Sequence, residues 1–370
     1  MIKIYLLPRV LVFALFLTGC SIEIDQTTPL PSPAPTEGIA ATSPTALFPT
    51  TQIPVAWAHL NLTGKLIYLS STRENDIVTG TVQMLDLVTG DIATILSIPR
   101  AWVYYASVSP DAQSIVMSYA PAAQPNSPPA RILYIMSLDG STPPQPLLTP
   151  PTADDRYTQV EWSPDGKYVY FVHYGVEFQS SGQLDPDYDI QRMGYPDGQI
   201  EKIAENAFWP RLSSDSSRIA YIFVDPDSRE TRLFVANADG SSALQVPLSG
   251  PASQEILDSP IFSPDGESIL FSVPSPGQSY QPNWFEKLAG LQVAKAHNVP
   301  SDWWSVPVTG GTPTQLTQLQ TINLFAAISP DQKHIASLSG DGIFVMDLDG
   351  SNLTQLVSDP GVHGTVSWIP

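Results

Sequence analysis

The chain has 370 residues, a formal charge of −19, 42% hydrophobic residues and only 14% charged ones. That much apolar material excludes an intrinsically disordered chain. With 36 acids against 17 bases, it also lacks the basic face that nucleic acid requires, and a single cysteine excludes a disulfide framework.

Residues 1–20 read as a targeting segment. Lys3 and Arg9 flank its start, Val10 to Leu17 is an apolar run too short to span a bilayer, and Leu17-Thr18-Gly19-Cys20 closes it. The closing tetrapeptide resembles the bacterial lipobox, whose small residues let a peptidase cut before a cysteine that then carries lipid. The resemblance implies a membrane anchor at Cys20 and a place in the bacterial cell envelope, outside the cytoplasm. Loss of Lys3 and Arg9 with this segment takes the formal charge from −19 to −21. Residues 21–56 are rich in Pro, Thr, Ser and Ala, with prolines at 29, 31, 33, 35, 44, 49 and 54. Such a run buries no core and is expected to be an extended, semi-rigid linker.

From residue 57 to 370 one signal recurs: Ser109-Pro110-Asp111, Ser163-Pro164-Asp165-Gly166, Ser213-Ser214-Asp215, Ser263-Pro264-Asp265-Gly266 and Ser329-Pro330-Asp331. An apolar residue precedes each serine (Val108, Trp162, Leu212, Phe262, Ile328), and a β-branched one lies four residues after each aspartate (Ile115, Val169, Ile219, Ile269, Ile335). This is the pattern of strand, tight turn, strand: Pro sets the turn's φ and Asp bonds back to the backbone. A second signal alternates with it, the hairpin glycines Gly90, Gly140, Gly198, Gly240, Gly310 and Gly350, four of them preceded by Asp. Each unit therefore holds four strands. Six glycines against five serine turns are reconciled by the chain ends. Thr365-Val366-Ser367-Trp368-Ile369-Pro370 repeats the strand that elsewhere precedes the turn, and Leu66-Ile67-Tyr68-Leu69 repeats the one that follows it. The prediction is an all-β, six-bladed β-propeller of four-stranded antiparallel blades, the first closed by the C-terminal strand.

The phrases Trp162-Ser163-Pro164-Asp165-Gly166-Lys167 and Leu348-Asp349-Gly350 resemble the TolB-type repeat, a WD40-like propeller repeat also similar to that of prolyl-oligopeptidase-type peptidases. The resemblance runs from about Leu66 to the end and implies the fold; activity does not travel with it. TolB carries an α/β domain ahead of its propeller, and here only a short, largely proline-rich stretch stands there. The peptidases carry a nucleophile elbow, and no G-x-S-x-G occurs in this sequence.

Antiparallel strands put the serine turns and glycine hairpins on one face and the longer connections on the other. A site is expected on that second, loop face or in the channel beneath it. There the candidate binding residues are Asp154, Asp155 and Arg156, then Asp185, Asp187 and Asp189, although a solvated acidic loop explains these acids better than a bound cation does. An insertion over 274–301 in the fifth blade is expected to be partly helical, with Asn283 as cap, Glu286 at the capping-box position and Trp284, Leu288 and Leu291 on one side. Trp284 and Phe285 are its candidate contacts. Trp303 and Trp304 read as core or inter-blade packing. His173, His297 and His363 map to the loop face and could hold a metal only by converging, so no cofactor is expected.

These observations predict a membrane-anchored lipoprotein whose propeller is a non-catalytic binding or scaffolding module for an envelope protein, peptide or glycan. The alternative is an envelope- or polysaccharide-degrading lyase or hydrolase with its site at the channel mouth.

Overall fold

Strands rich in Val, Ile, Tyr and Phe cannot bury both faces alone, so the repeats stack face to face around an axis. The computed structural model describes residues 50–120, 131–150, 152, 155–178, 184–196, 198–278 and 299–370. In chain order, β1 (Thr51–Gln52), β2 (Lys65–Glu74), β3 (Ile77–Asp86) and β4 (Asp91–Pro99) belong to the first blade. The second blade holds β5 (Trp102–Val108), β6 (Ser114–Ala120), β7 (Ile132–Ser137) and β8 (Gln145–Leu148); the third holds β9 (Arg156–Trp162), β10 (Tyr168–Phe178), β11 (Leu184–Gly194) and β12 (Ile200–Ala204). The fourth comprises β13 (Ala207–Leu212), β14 (Arg218–Val224), β15 (Thr231–Asn237) and β16 (Leu244–Gln245), and the fifth β17 (Asp258–Phe262), β18 (Ser268–Pro274), β19 (Ser301–Pro307) and β20 (Thr314–Gln315). The sixth has β21 (Phe325–Ile328), β22 (His334–Ser339), β23 (Gly342–Asp347) and β24 (Thr354–Val357), after which β25 (Val362–Ile369) returns to the first sheet.

The ring closes as the repeat pattern requires. β25 pairs antiparallel with β2, with Leu66 opposite Trp368 and Ile67 opposite Ser367. Trp368 is 9% exposed, and its indole Nε1 donates to the Thr63 carbonyl at 2.9 Å. β1 adds a fifth, outermost strand to this sheet by pairing with β4. Trp57, just after it, is 1% exposed and donates from Nε1 to the Leu87 carbonyl at 2.8 Å, so the fold begins upstream of Leu66.

The five serine turns share one hydrogen-bond set. Each serine hydroxyl donates to its aspartate Oδ1 at 2.6–2.7 Å and accepts, at 2.9 Å, the amide five residues further on. The same Oδ1 accepts the amide two residues on, at 3.0–3.2 Å. The serine is thus the hub of the turn and the aspartate its clamp. The residue after each aspartate has φ of 53–71°, which suits glycine at 166 and 266 and is strained at Ala112, Ser216 and Gln332.

The cores lie between blades. One cluster joins blades one and two (Ile67, Val103, Ile115), another joins two and three (Val116, Trp162, Phe171), and a third joins five and six (Ile261, Trp303, Ile335). Trp303 is fully buried there and donates from Nε1 to the Ser337 hydroxyl at 2.7 Å, which is the inter-blade role expected of it. The hairpin glycines set how closely blades approach. Gly240 has φ +83°, and a Cβ there would stand 2.3 Å from the carbonyl oxygen of Ile203 in the preceding blade.

Two outcomes follow. Trp368→Ala is expected to cost about 3–5 kcal/mol, because it empties a closure contact; the midpoint of denaturant unfolding measures it, and an unchanged midpoint would contradict the closure role. Hydrogen bonds from Ser213 and from the Ser217 amide and hydroxyl hold the Asp215 carboxyl down to about 2. A carboxyl lowered on folding stabilises fully above its unfolded value of about 4, and that contribution disappears as the pH falls through the folded value. The unfolding midpoint should therefore fall as the pH is lowered between these limits, and Asp215→Asn should remove part of that pH dependence.

Candidate functional site

The residue just before each apolar pre-serine position occupies an equivalent place on the innermost strand of its blade. These six, Ser107, Glu161, Arg211, Ile261, Ala327 and Ser367, form a ring around a cavity of about 380 Å³ at the turn-face end of the central channel. Innermost strands of neighbouring blades share no ladder, and side chains on one side of the ring bridge them instead. The Ser367 hydroxyl accepts the Val108 amide at 3.4 Å, and the Ser107 hydroxyl accepts the Trp162 amide at 3.0 Å. Arg211 Nη1 donates to Glu161 Oε2 at 2.7 Å. Burial pushes the Glu161 carboxyl up, and the opposing pull of Arg211 does not fully offset it.

Deeper in, Tyr105, Trp209 and Phe325 come from the second, fourth and sixth blades and meet across the axis. Their ring centroids lie 5.4, 5.1 and 6.1 Å apart, in edge-to-face arrangements. Trp209 reaches this position because a bulge in β13 re-aims it: its φ is +60°, and its amide donates to Gln159 Oε1 at 2.7 Å. Burial pushes the Tyr105 hydroxyl well above the ordinary phenol range. Each of the three aromatic residues stands two residues before a cavity-lining residue of its own strand, Ser107, Arg211 and Ala327, so the rings lie one step below the cavity on the turn face. Pro110, Pro164, Pro264 and Pro330 line its mouth, and the exposed carboxylates of Asp111, Asp165, Asp215, Asp265 and Asp331 stand on the turns around it.

Of the candidate site residues singled out from sequence, those among the described residues fall elsewhere. Asp155 lies against His173, Oδ1 to Nε2 at 3.3 Å, and its Oδ2 accepts from the Thr152 hydroxyl at 2.7 Å. Arg156 begins β9 with its guanidinium 5.7 Å from the Tyr174 ring centre. Asp185, Asp187 and Asp189 belong to strand β11 and not to a solvated loop, because β10 and β11 continue their pairing out to Phe178 and Leu184. Asp189 faces His173 in that register, is 3% exposed and meets Lys202 Nζ at 2.7 Å. His363 sits in another blade, its Nδ1 2.8 Å from the Gly361 carbonyl, its Nε2 2.9 Å from the Val103 carbonyl and its ring against Trp102. His173 and His363 do not converge. Among the described residues no group of three His, Cys, Asp or Glu side chains is placed to hold a metal ion. Cys20, Asp154, Trp284, Phe285 and His297 lie outside the described residues, as does the expected helix of the 274–301 insertion.

Glu161 and Arg211 were the residues that motif reading passed over. Their signal is positional: superposing Val160-Glu161-Trp162-Ser163 on Pro210-Arg211-Leu212-Ser213 brings opposite charges to one place in adjacent repeats.

No protein-family model matches the sequence, and neither does any curated protein. Solved structures do. A putative TolB from Agrobacterium tumefaciens is 16% identical with a TM-score of 0.52, over 84% of this chain and 99% of that one. TolB from Acinetobacter baumannii is 17% identical with a TM-score of 0.54, over 83% of this chain and 67% of that one. At these identities the likeness is one of fold. The chain is a TolB-like six-bladed β-propeller, closed by its own C-terminal strand.

Proposed function

We propose that this chain is a lipid-tethered module of the bacterial envelope, anchored at Cys20. It binds or scaffolds a protein, peptide or glycan through the cavity on its turn face. The observation that supports the reading is the ring of six equivalent side chains, one from each blade, around a cavity of about 380 Å³, with three mutually packed aromatic rings two residues deeper on alternate blades. A concave site of that size with a few converging polar groups is what ligand recognition requires. The Leu17-Thr18-Gly19-Cys20 tetrapeptide supports the tether. Among the described residues no helix is long and apolar enough to cross a membrane.

Filling the cavity tests the recognition. Ala327→Trp projects an indole across the channel from the sixth blade, and it should abolish capture of defined peptides and oligosaccharides on arrays while leaving the propeller folded. Capture that survives the filled cavity would place recognition elsewhere, and turnover of an arrayed oligosaccharide would favour the degrading enzyme instead. For the tether, Cys20→Ser should eliminate incorporation of labelled fatty acid and release the protein from membranes; retention of label would refute the anchor.

A further inference from the structure

The cavity wall is chemically divided. Ser367, Ser107, Glu161 and Arg211, from consecutive blades, make one side polar, while Ile261 and Ala327 make the other apolar. Glu161 meets Arg211 through Oε2, and its Oε1 has no partner among the described residues. Around the mouth the five exposed aspartates are all held below the ordinary carboxylate range; for Asp111, Asp215, Asp265 and Asp331 the largest cause is the serine hydrogen bond of the turn. Three cations stand close to them: Lys167 lies 3.0 Å from Asp165, Arg218 lies near Asp215 and donates to the Gly266 carbonyl at 2.7 Å, and Lys333 lies near Asp331, which leaves five carboxylates against three cations. A concave site rimmed by an excess of one sign of charge concentrates ligands of the other sign.

We propose that this cavity seats a protonated alkylamine. The ammonium lies against Glu161 Oε1 and the Ser107 hydroxyl, the methylenes lie along Ile261 and Ala327, and the three aromatic rings lie beneath. Arg211 is a positioning residue that fixes the carboxylate. An anionic ligand would meet the aspartate rim, and a neutral one would gain nothing from it. The ammonium chemistry belongs equally to a free polyamine and to a lysine side chain of a partner protein. The assignment rests on the cavity being the recognition site.

Calorimetric titration of the full chain with cadaverine, spermidine and an Nα-acetyl-lysine amide tests it, with hexanoate and pentanol as anionic and neutral controls. Binding of at least one amine is expected, weakened about tenfold or more by Glu161→Gln and by a rise in salt that shortens the Debye length from about 30 to about 8 Å. Asp111→Asn combined with Asp265→Asn, both on exposed turns, should reduce the salt dependence without removing binding. Preference for spermidine identifies a polyamine, and preference for the lysine amide identifies a protein side chain; either supports the proposal. It is overturned if no amine binds, if pentanol or hexanoate binds as well as cadaverine, or if Glu161→Gln binds unchanged. In that event, loss of array capture in Ala327→Trp would still uphold the cavity as a binding site, whereas unaffected capture would remove both readings.

Discussion

The pairing of β25 with β2 is the constraint on which the rest of this molecule depends. A linear stack of twisted sheets would expose a hydrophobic face at each end; a ring exposes neither, provided the first and last units join. The join here places residues more than 300 positions apart in one sheet, with Trp368 anchored to Thr63. His363 and Thr365 of the same strand reach across to the second blade, where the Thr365 hydroxyl accepts the Ala106 amide at 2.8 Å. The C-terminal strand therefore completes one blade and holds the next.

Around the axis, adjacency without a backbone ladder shapes the chemistry. Neighbouring innermost strands diverge too much to pair, so side chains satisfy their edges, Ser367 to the second blade, Ser107 to the third and Gln159 to the fourth, while Glu161 meets the Arg211 side chain. Polar groups that bridge strands in this way also line the channel. A structural necessity of the closed ring thus supplies the functional groups of its cavity, and the same necessity places a carboxylate and a guanidinium where water is scarce.

The fold was legible because its signals are local and repeated. Serine, proline, aspartate and glycine at fixed offsets specify turns whatever surrounds them, and the incomplete repeats at Leu66 and Thr365 disclosed the closure. The cavity was less legible, because Glu161 and Arg211 lie in different repeats with no motif of their own, and their meeting depends on how blades rotate about the axis. Bulges add to the difficulty: the extra residue at Trp209 reverses the facing that simple alternation would assign. The aspartates of 185–189 misled for a related reason. Charge and proline suggest a loop, yet the tyrosine- and valine-rich β10 opposite them carries the hairpin outward and draws Asp189 into a buried contact with Lys202.

The aromatic triad also bears on the number of blades. Tyr105, Trp209 and Phe325 are supplied by every second unit, so in a ring of six the three rings converge on the axis from evenly spaced directions. Duplication or deletion of a single unit would break that even spacing and force the triad to repack. The packing at the axis is thus tied to the present number and spacing of the blades.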